Sequence, residues 1–183
     1  GGANGSITVN ASQGVAPYQI SWSGPTSGNP IGNEIASASG NYQITSLPAG
    51  VYVVTITDAT GCFHTIPVTI TQPLVLQASA VNTGALCNGS SDGSVMGSAS
   101  GGIAPYDMSW SGPNTGNPPG TEINTDGGSY SVIGAPAGLY TVTMVDANGC
   151  MATTTTSISQ PLALSASTTN TPALCNGSAD GSI

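Results

Sequence analysis

The chain has 183 residues with no lysine or arginine, eight carboxylates and one histidine, a formal charge of −8 and a pI near 4.1. Without basic side chains it has nothing to displace counterions from nucleic-acid phosphates or anionic lipid, so nucleic acid and direct membrane contact are excluded as partners; trypsin-like proteases find no cleavage site either. Charged residues are only 4% of the chain, but 38% is hydrophobic and patterned, so cores can be buried.

Taken from its start, GGANGSI matches the closing CNGSADGSI with its first residues missing, which predicts a segment of a longer array. Ser6–Ser12 reads as a strand, followed by a GVAP turn. From Tyr18 to Trp22, Tyr18, Ile20 and Trp22 fall on one face and Gln19 and Ser21 on the other. After a long Gly/Pro stretch from Pro25 to Ser39, a strand is expected at Asn41–Thr45, then a SLPAG turn. Val51–Asp58 puts Tyr52, Val54 and Ile56 together, DATG turns the chain, and further strands are expected at Thr65–Thr71 and, after TQP, at Leu74–Val81.

The pattern then repeats. Tyr18, Trp22, Glu34, Tyr52, Asp58, Cys62 and Cys87 recur as Tyr106, Trp110, Glu122, Tyr140, Asp146, Cys150 and Cys175, each 88 residues on. A period of that length suits an autonomous domain better than a solenoid coil. Short strands with regular turn signals, an early-strand Trp and a Tyr that opens a late strand after PAG predict an all-β fold of tandem immunoglobulin-like β-sandwich domains. Trp22, Trp110, Tyr52 and Tyr140 are the expected core residues. The expected domains are 1–73, a repeat lacking its first strand; 74–161, a complete repeat; and 162–183, the start of the next. Gln72-Pro73 and Gln160-Pro161 close each unit with no flexible linker after them, which predicts stiffly coupled neighbours.

Two disulfide schemes are compatible with the repeat. Cys87 can bond Cys150 within one domain, leaving Cys62 and Cys175 to neighbouring repeats; or Cys62 can bond Cys87 and Cys150 bond Cys175, stapling successive domains. The first closes a loop worth roughly 4 kcal/mol on the chain-entropy model and is preferred. No CxxC or His pair supports zinc. His64, matched by Ala152, is a strand residue, and no nucleophile–base pair or carboxylate dyad recurs, so no catalytic residues and no cofactor are expected. Asp58, Asp92, Asp146 and Asp180 sit in turn sequences and read as turn-forming residues, with calcium as the alternative. The tryptophans read as core rather than as sugar-stacking platforms.

CNGSSDGSV, SGGIAPYDMSWSGP, PAGLYTVTMVDANGC and TTSISQP, in this order over both units, resemble the SprB-type repeats of gliding-bacterium surface adhesins. That resemblance implies a very large protein exported by the type IX route, whose repeats form a surface filament for gliding or attachment. The expected function is a structural shaft in an extracellular, cell-surface adhesin or filament. Its partners are then neighbouring repeats of the same chain and other copies in a filament. The alternatives are a self-assembling fibre or sheath, and a module that binds a glycan or a protein partner through the long loops.

Overall fold

A computed structural model describes residues 2–29, 35–116 and 123–183. The middle parts of the two long Gly/Pro stretches, with Glu34 and Glu122, lie outside these residues. The chain divides into two compact units, Gly1–Pro73 and Leu74–Ile183.

Among the described residues the second unit has six antiparallel strands: β6 (Gln77–Thr83), β7 (Gly93–Ser100), β8 (Asp107–Ser111), β9 (Ser129–Ala135), β10 (Gly138–Val145) and β11 (Met151–Ile158). One sheet runs β6-β7-β9 and the other β8-β10-β11. These are the relations of strands A, B, E and C, F, G in an immunoglobulin sandwich. The first unit repeats the plan with β1 (Gly5–Ser12), β2 (Gln19–Ser23), β3 (Ser39–Leu47), β4 (Gly50–Thr57) and β5 (Phe63–Ile70). Its sheets are β1-β3 and β2-β4-β5.

Period-two alternation produces the core. Along β10, Tyr140, Val142 and Met144 are fully buried, and Val95 and Ala99 of β7 meet them from the other sheet in one cluster with Met108 and Ile158. Tyr18, Ile20, Tyr52, Val54 and Ile44 form the corresponding core of the first unit. The opposite face carries Ser and Thr, as where Thr141 and Thr143 pair with Ser111 and Ser109.

Two strands start later than the sequence pattern suggests. Leu74–Val81 was expected to be a strand, but its ladder begins at Gln77, opposite Ser100. The partner ends there because Gly101 and Gly102 both adopt positive φ and turn the chain away. Leu74 instead uses its carbonyl to accept the Gly102 N–H at 2.8 Å, and its side chain stays exposed. Similarly, Tyr18 lies just before β2 and forms an isolated antiparallel bridge to Ile35.

A buried tyrosine needs a partner for its hydroxyl. Tyr140 donates to the Pro136 carbonyl at 3.0 Å, and Tyr52 donates to the Pro48 carbonyl at 3.0 Å. Each bond ties the start of a late strand to the turn four residues back, the tyrosine-corner arrangement. Tyr140→Phe should lower stability by about 1 kcal/mol, the net worth of one such bond, while leaving the fold intact. Urea denaturation followed by tryptophan fluorescence would show a lower midpoint at unchanged slope.

Candidate functional site

The chemistry-bearing side chains gather at the ends of the sandwiches. Asp146 follows β10 and is only 5% exposed. Its carboxylate accepts the N–H groups of Asn148 (2.9 Å), Cys150 (2.8 Å) and, across 43 residues, Ile103 (3.1 Å). Burial opposes ionisation of this group, but the donors from Cys150, Ile103 and Asn148 together outweigh it and hold the pKa below the usual carboxylate range. Gly102 is required beside it, since a Cβ there would lie 2.7 Å from Asp146 Oδ2.

Asp58 is the first unit's counterpart. Its pKa is lowered chiefly by the Thr60 hydroxyl, against some opposition from burial, with the backbone N–H groups of Val15, Cys62 and Thr60 assisting. Asp92 accepts the Ser90 hydroxyl and the Leu86 N–H, and Asp180 repeats this with Ser178 and Leu174. Each of these carboxylates serves a turn. Among the described residues, no three His, Cys, Asp or Glu side chains group together as a metal ion would need.

All four cysteines are free and exposed. The Cys87–Cys150 bond expected from loop closure is corrected by the strand register. Cys150 immediately precedes β11, whereas Cys87 lies by its far end, where Asn88 and Gly89 bond Pro161 and Gln160. The eight residues of β11 separate the two by roughly 25 Å, and a disulfide needs Cα atoms within about 7 Å. Cys62 and Cys175 are likewise exposed free thiols in this structure.

Tyr52 and Tyr140 are fully buried. Trp22 and Trp110 are half-buried and pack against the cores from the side. Trp110 stacks on Tyr130 at 6.5 Å between ring centroids and lies on Gly116, where a Cβ would come within 2.3 Å of the indole. The indole N–H groups of both tryptophans are buried with no partner among the described residues. His64 is an exposed residue of β5, opposite Ile56.

The first unit also has a cavity of about 370 Å³ between β1 and β5, lined by Ala11, Gly14, Tyr18, Ile56, Asp58 and Ile66 among others. Sequence reading missed it, because it depends on what flanks β1. The available signal was apolar Ile66 where the second repeat has Thr154.

Replacing Asp146 by Asn should cut the acid sensitivity of the second unit. A carboxylate whose pKa is depressed by folding contributes stability above its unfolded pKa, near 3.9, and loses it as pH falls through the lower folded value. Thermal unfolding of the wild type should therefore be flat from pH 7 to about 5 and fall below about 4, with a shallower fall in Asp146→Asn. Thiol labelling of the folded chain, read by intact mass, should modify all four cysteines, and reductant should leave the melting temperature unchanged.

The model of the SprB repeat matches residues 1–27 and 80–115. No curated protein sequence matches the chain. Among solved structures, an I-band fragment of titin (I67–I69) is similar at 13% identity and a TM-score of 0.46, over 86% of this chain and 60% of that one. A C-terminal 282-residue fragment of intimin, in complex with the intimin-binding domain of its translocated receptor, is similar at 16% identity and a TM-score of 0.36, over 85% of this chain and 57% of that one. A chimeric titin Z1Z2–Z1Z2 tandem is similar at 15% identity and a TM-score of 0.35, over 87% of this chain and 92% of that one. With TM-scores below 0.5, these likenesses carry no functional argument. The two SprB matches fall on equivalent parts of the two units, from the loop or strand before Trp22 and Trp110 to just beyond them, and they meet the all-β, antiparallel, immunoglobulin-like topology described above. The chain thus carries two stretches similar to the SprB repeat, one in each unit, on an all-β, antiparallel, immunoglobulin-like fold.

Proposed function

We propose that these repeats are load-bearing spacers in the shaft of a long surface adhesin, serving attachment or gliding. In this reading Leu74–Pro161 is one complete repeat, 1–73 is a repeat without its first strand, and 162–183 opens the next. The repeat sets length and carries tension, and its immediate partners are the repeats before and after it.

The observation that supports this reading is where the chain enters and leaves the second sandwich. It enters at Gln77, beside Ser100 and the end of the β10–β11 pair that holds Val145 and Met151. It leaves after Ile158, opposite Gly138 at the other end. Tension between these points runs along the strands, so the β6–β7 and β10–β11 ladders are loaded in shear and many hydrogen bonds must break together. Entry and exit at one end would instead let the ladders open one bond at a time. The Asn82–Thr156 side-chain bond at 2.7 Å adds a tie between the first and last strands.

Lysine–asparagine isopeptide bonds have no lysine to form from, and the cysteines are unbonded, so the mechanical strength rests on these ladders and the core. The exposed surface is rich in Ser and Thr, and the chain offers no Lys or Arg at which trypsin-like enzymes could cleave.

Single-molecule stretching of the chain tests the proposal. A force peak is expected for the second unit, followed by a contour-length gain of roughly 250–300 Å, the extended length of 88 residues less the folded span. Smooth extension with no peak would remove the mechanical role. Asn82→Ala should lower the peak force more than it lowers equilibrium stability, because Asn82 ties together the two strands that are pulled.

A further inference from the structure

In the second unit β11 is the outermost strand of its sheet, paired with β10 on one side only. Which way its backbone groups point follows from the bonds made across the sheet. Trp110 exchanges both its backbone bonds with Gly116, at 3.0 and 3.1 Å, and Tyr106 does the same with Ile123, so Ser109 and Ser111 are the β8 residues that turn towards β10. Thr141 and Thr143, opposite them, are committed to β8. Tyr140, Val142 and Met144 are left to bond Thr156, Thr154 and Ala152 of β11. The Asp146 N–H, which donates to the Cys150 carbonyl at 2.9 Å, continues the same alternation. Met151, Thr153, Thr155 and Ser157 therefore direct their N–H and C=O groups out of the sheet, and all four residues are exposed.

The first unit carries a different residue at the same edge. There Trp22 bonds Gly28 and Tyr18 bonds Ile35, so by the same alternation the outward residues of β5 are Phe63, Thr65, Pro67 and Thr69. Pro67 stands where the second unit has Thr155. Its missing N–H costs the β4–β5 ladder nothing and interrupts the row at the edge, one of the ways in which an edge strand is kept from pairing with another chain. β11 has no such interruption: it runs from Met151 to Ile158 without proline, glycine, charge or register shift.

We propose that β11 is a self-pairing edge, which adds antiparallel to β11 of a second copy of this chain about a two-fold axis perpendicular to the sheet at Thr154. That axis sets Thr153 opposite Thr155 and Met151 opposite Ser157 of the other copy, and the reciprocal pairs with them, so every outward group meets another outward group. Threonine then faces threonine on the solvent side of the joined sheet, a favourable cross-strand pair. The occupant is a second copy because the strand is self-complementary in this register, and a two-fold contact uses one patch twice. None of the eight carboxylates lies on β11 to oppose it. Pro67 denies the first unit the equivalent contact, so pairing stops at two copies.

Antiparallel addition also fixes direction. The strands lie along the line of tension, so two chains joined through β11 point opposite ways, as shafts reaching from facing surfaces do. One edge strand is a small contact, and several such repeats in one array would reinforce each other through effective concentration. The direction matters only if the repeats form a shaft, as proposed above; the pairing does not depend on it.

Light scattering and amide hydrogen exchange on the 183-residue chain test the pairing as concentration rises into the millimolar range. Mass should approach that of two chains and stop there. Exchange of the Met151, Thr153, Thr155 and Ser157 amides should slow in step, whereas the Thr154 and Thr156 amides are already protected in the single chain. Thr155→Pro, which copies the residue of the first unit, should keep the chain monomeric with a melting temperature near that of the wild type. Pro67→Thr should open the second edge and let mass grow past two chains. A chain that stays monomeric, with the four amides exchanging freely at every concentration, would overturn the proposal and leave the edge to an extended segment of another protein. A dimer that Thr155→Pro leaves intact, or a Pro67→Thr chain that grows no further than the wild type, would overturn it as well. None of these measurements applies force, so their outcome is separate from that of stretching.

Discussion

The buried face of β10 organises the repeat. Tyr140, Val142 and Met144 point the same way from alternate positions, and each is removed from water against the opposite sheet. Burying a side chain of this size contributes on the order of 2 kcal/mol, and no salt bridge can share the task in a chain without lysine or arginine. Once that face is covered, the opposing sheet must supply small and medium apolar groups, Val95 and Ala99 in β7 and Val132 in β9, and the Tyr140 hydroxyl must find its acceptor at Pro136. The tyrosine corner thus follows from burying a large side chain with a polar tip.

The same reliance on apolar burial and backbone pairing explains the polar side chains at the sandwich ends. With so few charged residues, the carboxylates are used where backbone N–H groups would otherwise lack partners. Asp146 serves three such groups, one of them on the strand-to-strand connection at Ile103. A carboxylate in that position holds a turn and clamps two loops that are far apart in sequence. It leaves no lone pairs arranged for chemistry, which accords with a structural repeat.

Edges matter more in this molecule than sites do. A β-sandwich made of three-stranded sheets has little interior, so each flanking strand covers a sizeable part of the core. In the second unit β6 covers β7 and brings Leu76, Ala78 and Ala80 to the cluster. In the first unit the same flank is a cavity with Ile66 and Phe63 exposed near it.

By itself the sequence determined the 88-residue repeat, the all-β class, the strands and the faces they bury, because these depend on periodicity and turn residues within a few positions. The SprB resemblance was legible for the same reason, in strings such as SGGIAPYDMSWSGP that hold strand and turn signals together. Only the tertiary structure decided that Cys87 and Cys150 lie at opposite ends of the sandwich, that the tryptophans sit half-buried on Gly28 and Gly116, and that Asp146 reaches Ile103. Each of these depends on which strands become neighbours and in what direction they run, and that is settled by burying the β10 face against a sheet distant in sequence, not by any local pattern.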